Sequence, residues 1–249
     1  MGSRIIREPV EEALRLIEEA EKQNIILRLL GGVAVNMHTE KEPEVFKRDY
    51  SDIDLVVDQD SGPKVAKFLK QMGYEPNISF NTYNGHERQL YYDLENQRQM
   101  DIFVGDFRMC HYIPLKNRLL VEPYTIPRAE LLLTKIQIVE MNYKDIIDLS
   151  ALMLNNEVTE DDSAVSYLQI ADLCSNDWGL YKTFSLNVDK LVETLPKLKL
   201  EDEDMDIVVS RFRHLVNKVE KAPKKLKWKM RSMVGEKVPW YELPEEVQR

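Results

Sequence analysis

The sequence predicts an α+β fold: a small mixed β-sheet with flanking helices, followed by an α-helical domain. Three observations predict it. Short apolar runs bounded by Gly, Asn and Pro cluster in the first half, helix-length amphipathic segments fill the chain after Pro127, and Pro123 and Pro127 mark the change. These shifts place one domain at residues 1–122, a helical domain at 123–235 and a C-terminal tail at 236–249.

Residues 8–23 read as an amphipathic helix, with Val10, Leu14, Ile17 and Ala20 at helical spacing. Ile25 to Leu30 is a short apolar run suited to a buried strand. It stops at Gly31-Gly32, and residues 33–38 suit a following helix. Residues 51–58 form a second strand with Ile53, Leu55, Val56 and Val57 as its apolar content. Ser61 then caps a helix with Pro63 in its first turn, an apolar face of Phe68, Leu69 and Met72, and Gly73 at its end. Residues 78–80, 89–94 and 100–104 read as strands between Asn-, Gly- and Gln/Arg-rich turns, and 119–126 as one more. Beyond Pro127, residues 128–141, 143–154, 163–174, 178–195 and 205–219 have helical length and spacing. The acidic stretches 159–162 and 201–206 read as connections or helix starts.

Bulk properties narrow the function classes. At 249 residues, 43% hydrophobic and 31% charged, the chain builds an ordinary core without staples. A net charge of −9 argues against a general nucleic-acid binder, though a local basic groove remains compatible with it. Cys110 and Cys174 fit neither a metal-ligand spacing nor a disulfide framework, which suits a reducing compartment. No signal segment or membrane-length apolar run is present, so a cytoplasmic protein without a membrane partner is expected.

The chemistry concentrates in a few residues. Asp52 and Asp54 are two apart on a strand, so both carboxylates project from one face while Ile53 points to the other. Two like charges so close need compensation, and a divalent cation supplies it: Mg²⁺ takes carboxylate and phosphate oxygens. An isolated Asp-x-Asp is more often a solvated strand edge, but two further features shift the balance. Gly31-Gly32 follows a strand where glycine lets the backbone approach a phosphate. Asp101 is a lone carboxylate in an apolar strand, a costly placement unless it completes a three-carboxylate site.

Glycine pair, Asp-x-Asp and a later strand Asp, in that order, resemble the nucleotidyltransferase superfamily that includes DNA polymerase beta, kanamycin nucleotidyltransferase and the CCA-adding enzymes. The matching residues are Leu29-Leu30-Gly31-Gly32, Ser51-Asp52-Ile53-Asp54-Leu55 and Met100-Asp101-Ile102. Residues 128–136 and 143–149 look like the segment after the sheet in the AbiEii-type abortive-infection toxins. That resemblance implies Lys135 on the first helix and Asp145 on the next as further site residues. One departure stands out: the family pattern more often has a longer spacing and an arginine where Lys144 stands.

The resemblance implies a Mg²⁺-dependent enzyme that transfers an NMP from an NTP to an acceptor hydroxyl. Asp52, Asp54 and Asp101 would hold two ions, with Asp101 also accepting the hydroxyl proton. Gly31, Gly32, Ser51, Arg48 and Lys135 would meet the nucleotide. The acceptor would be a tRNA, another RNA, a protein or a small molecule, and a toxin would imply an antitoxin partner. The alternatives are a catalytically idle fold used for binding or regulation, and an antibiotic-modifying adenylyltransferase.

Other residues carry less. His38, His86, His111 and His214 are scattered and form no ligand pair. Tyr91-Tyr92 reads as strand core rather than a base-stacking platform. The basic residues Lys221, Lys224, Lys225, Lys227, Lys229 and Arg231 read as a solvated helix end paired with the acidic 201–206 stretch, rather than an RNA contact. Residues 239–244 are expected to pack back on the surface.

Overall fold

The computed structural model of the protein describes residues 5–243. A five-stranded mixed sheet is flanked by helices, and a largely α-helical region follows it. The chain divides into two compact units. The first takes residues up to Met37, then Arg48–Phe107 and Pro114–Pro127. The second takes His38–Lys47, Arg108–Ile113 and the chain from Arg128 onward.

The first unit opens with α1 (Pro9–Glu21), whose cap is Glu8: its side chain accepts the Glu11 amide. The buried face of α1 is Glu12, Ala13, Leu16, Ile17 and Ala20, rotated from the predicted stripe because Val10 and Leu14 are only half-buried. A carboxylate sits on this face because Tyr74 and Arg15 both donate to it. The Tyr74 hydroxyl lies 2.6 Å from Glu12 Oε1, and Arg15 Nε 2.8 Å from Oε2.

Strand β1 (Leu27–Leu30) runs into α2 (Gly31–Met37). Strand β2 (Asp52–Val57) is followed by α3 (Gly62–Met72), β3 (Glu75–Pro76), α4 (Ile78–Asn84), β4 (Arg88–Asp93) and β5 (Arg98–Val104). The spatial order is β1-β2-β5-β4-β3. Only β2 and β5 run parallel; the other neighbours are antiparallel. Central β2 and β5 bury Ile53, Leu55, Met100 and Ile102 completely, which anchors the ladder carrying the aspartates.

Two expectations for this unit are corrected, and a third is met in position without its capping bond. Residues 78–80 are not a strand but the start of α4, because the Asn77 side chain accepts the Phe80 amide and caps a helix. That helix buries none of its residues, and Ile78 is 74% exposed. Residues 119–126 contribute no strand, only an isolated bridge from Thr125 to Leu29. Ser61 occupies the cap position of α3 without a capping bond of its own. Asp58 instead accepts the Ser61 amide one turn earlier. Gly73 ends α3 as expected, in the left-handed region at φ +96°.

Two-residue strands β6 (Phe107–Arg108) and β7 (Tyr112–Ile113) precede the helical region. In the second unit, α5 (Arg128–Ile136) is shorter than predicted. The Asn187 side chain donates to the carbonyls of Ile136 and Ile138, satisfying the helix end from a distant part of the chain. Helix α6 (Tyr143–Asn155) starts with a capping box of Asn142 and Asp145. The predicted helix at 163–174 begins late: β9 (Val165–Ser166) first pairs with β8 (Val158–Thr159), and α7 (Tyr167–Asn176) follows.

Helices α8 (Trp178–Thr194) and α9 (Asp202–Lys221) lie close to their predicted positions, and α10 (Leu226–Val234) carries Lys227, Lys229 and Arg231, half of the basic run. The acidic stretch does not answer that run in the expected way. Asp204 pairs with Lys41, whereas Lys225 pairs with Asp172. Of the expected surface tail, Trp240 packs edge-on against Trp178 and donates to Thr183. Pro244 lies outside the described residues.

Candidate functional site

The first unit collects most of the expected site on one face of its sheet. In the parallel β2–β5 ladder, Asp54 is the direct partner of Asp101, and Asp52 of Gln99. Paired residues in a sheet project to the same side, and so do residues two apart along a strand. Asp52, Asp54, Gln99 and Asp101 therefore share a face. On the antiparallel side Asp101 is paired with Leu90, which brings Arg88, two residues away, to that face as well.

At the end of β1, Gly31 adopts φ +72°, a backbone that other residues enter at a cost. The Asp54 side chain occupies the space where a Cβ would stand: that atom would lie 2.9 Å from Asp54 Cγ and 3.0 Å from its Cβ. A Cβ on Gly32 would meet the Arg48 guanidinium and would lie 3.2 Å from Tyr50 Cε1. Arg48 in turn stacks on Tyr50, 4.4 Å from the ring centroid. The glycine pair thus has one face against an acidic side chain and another against a basic one. Ser51, next to Tyr50 in sequence and directly before β2, is exposed.

Asp101 is buried, at 4% exposure, and both its oxygens are engaged. Arg88 Nε and Nη2 each lie 2.7 Å from Oδ1, and Gln99 Nε2 donates to Oδ2 at 2.9 Å. Asp52 and Asp54 are half-buried. Among the described residues, no group of three His, Cys, Asp or Glu side chains is drawn together as a metal cluster. The donor chemistry is nonetheless that of a hard cation: carboxylate oxygens on one face of adjacent strands.

Lys135 and Asp145 belong to the second unit. Lys135 Nζ lies 3.3 Å from Asp145 Oδ1 and 2.8 Å from Asp148 Oδ2. Both carboxylates are buried, and Asp145 also accepts the Asn142 amide in the capping box. The structure thus joins these two predicted residues and adds Asp148, one helical turn beyond Asp145. An i, i+3 reading of α6 places it on the same side.

Arg88, Gln99 and Tyr50 are the neighbours that sequence reasoning missed. Strand alternation from Asp101 reaches Gln99. Arg88 is reached only once β4 is known to pair with β5.

His111 is buried, with Nε2 2.8 Å from Thr183 Oγ1, and His38 accepts from Arg128. Tyr91 is core, as expected, with its hydroxyl on Gln89. Among the described residues no helix is long and apolar enough to cross a membrane. No protein-family model matches the chain, and no curated protein matches it at a significant level.

Proposed function

We propose that this chain is a nucleotidyltransferase that moves an NMP from an NTP to an acceptor hydroxyl and releases pyrophosphate. The observation that carries this reading is the side-by-side pairing of Asp54 and Asp101 on parallel strands, with Asp52 on the same face and Gly31 against Asp54. The residues that support it all lie in the first unit.

Asp52, Asp54 and Asp101 would hold Mg²⁺, which when bound supplies charge neutralisation for the triphosphate. Gly31 and Gly32, lacking side chains, let the backbone approach the phosphates. Arg48, fixed by its stacking on Tyr50, offers a positive charge next to Gly32. A carboxylate at Asp101 is the natural acceptor for the proton of the attacking hydroxyl. Resemblance to the toxin group favours an RNA or protein acceptor and implies a paired antitoxin.

The test is incubation with each α-labelled NTP, Mg²⁺ and a cell extract. The expected result is a labelled macromolecule that disappears in Asp52→Asn/Asp54→Asn. Labelling undiminished in that double variant would sink the reading.

One observation favours a second reading, a catalytically idle fold used for binding. Asp101 has both oxygens committed to Arg88 and Gln99. Under that reading Mg·NTP binds, yet no NTP yields a labelled product.

A further inference from the structure

Two buried aspartates in the first unit are paired with arginine, and the pairs differ in kind. Asp93 and Arg98 face each other across the β4–β5 hairpin at 2.9 Å, with side chains 0% and 4% exposed. Arg98 also donates to the carbonyls of Ile6 and Arg7 through its two terminal nitrogens, so that pair is withdrawn from solvent. Arg88 instead keeps 20% of its side chain in solvent while its partner Asp101 is 5% exposed. Its guanidinium borders Phe80 and Phe103, 5.8 and 5.3 Å from the ring centroids, and both its contacts with Asp101 fall on one oxygen. The face it shares carries Asp52 and Asp54 as well.

A buried carboxylate beside two others requires a positive charge, and the fold supplies one from the neighbouring strand. We infer that Arg88 is a built-in counter-ion for Asp101, exchanged for a divalent cation when the site loads. This rests on the metal-site reading above. Arg88 is a positioning residue: it holds Asp101 in the unloaded protein and competes with the cation for the Oδ1 oxygen. The competition lowers cation affinity and couples loading to movement of a partly solvated side chain. Gln99 holds the other oxygen through a neutral amide, which a cation displaces more easily than a guanidinium.

The experiment is a Mn²⁺ titration of the full chain, followed by the paramagnetic signal of free Mn²⁺. It compares wild type, Arg88→Met, Asp101→Asn, the two combined, and Asp52→Asn/Asp54→Asn. The expected result is roughly tenfold tighter Mn²⁺ binding in Arg88→Met, the scale of one hydrogen bond to a charged group. That gain should vanish in the Asp101→Asn background. An equal gain there would mean only that a positive charge had been removed from the face, and it would overturn the exchange.

Wild-type binding that needs Asp52 and Asp54 but is not tightened by Arg88→Met overturns the inference and leaves the metal site standing. Mn²⁺ binding indifferent to Asp52 and Asp54 overturns both. Should Arg88→Met fail to fold, Arg88→Lys keeps the charge but loses the planar fork. It must then shift affinity in the same direction by a smaller factor, and no shift overturns the inference.

Discussion

Gly31 and Asp54 touch where β1 ends: the aspartate side chain fills the space that a Cβ on residue 31 would need. The contact ties the backbone of the first strand to the carboxylate of the second. It also explains why this position takes glycine on two separate grounds, a left-handed φ and a steric neighbour.

Gly31→Ala should therefore cost about 1–2 kcal/mol for the left-handed backbone alone. Displacement of Asp54 adds to that. Thermal melts of Gly31→Ala, Asp54→Ala and the double variant separate the two parts. The steric part should be relieved when Asp54 is truncated, giving a coupling of about 0.5 kcal/mol or more. Strict additivity would show that the contact carries no energy.

The predicted strands that hold the aspartates lie close to where the sequence places them, because a short run rich in β-branched residues, such as Ile53-Asp54-Leu55-Val56-Val57, suits a strand buried on both faces. The misread segments share a cause: their conformation depends on a partner or bond that composition does not display. Ile78-Ser79-Phe80 alternates apolar and polar residues as a strand would, yet it is helical because Asn77 caps it. Helix α5 stops at Ile136 because Asn187, remote in sequence, takes its end carbonyls. The site shows the same division. The carboxylates and glycines are legible as types at spacings. Arg88 is not, since its role follows from the β4–β5 register. Residues 38–47 and 108–113 join the second unit without any compositional mark.

Tyr74→Phe removes one donor from a fully buried carboxylate. Glu12 accepts from Tyr74, from Arg15 through both oxygens and from the Ile6 amide. Losing one hydrogen bond to a charged group should cost about 1.5–3 kcal/mol. Chemical denaturation measures this as a lower midpoint at unchanged slope. A variant as stable as the wild type would mean that Arg15 and the Ile6 amide satisfy Glu12 without the tyrosine.

Lys135→Met leaves Asp145 and Asp148 without the cation between them. Breaking a buried pair by removing one partner typically costs about 3–5 kcal/mol, because a charge stays uncompensated. Lys135 is 15% exposed, so the lower end applies. Lys135→Arg should recover much of that stability. If it also recovers labelling activity, the lysine is needed as a charge in its own helical unit. If stability returns without activity, the ammonium itself is required for the reaction. A stable Lys135→Met protein would show that the cluster does not hold α5 and α6 together.

His38 makes the fold sensitive to acid. Its Nδ1 accepts from Arg128 Nε at 3.2 Å, while Arg128 also donates to the Ser163 carbonyl. Burial disfavours the imidazolium, the Arg128 charge opposes it further, and together they push the His38 pKa down to about 4. In the unfolded chain the same ring titrates near about 6.5. Between those values the unfolded state binds a proton that the folded state refuses, so stability rises with pH across that window. The contribution is fully present above the unfolded value and is lost as pH falls toward the folded one. Melting wild type and His38→Gln at about pH 7 and about pH 4.5 isolates this group, because other titrating residues cancel in the difference. The glutamine can still accept from Arg128 but cannot take up a proton, so its melting temperature should fall less on acidification. Equal falls in the two proteins would mean that the imidazole opens to solvent and protonates without unfolding, and that Arg128 is not held against it.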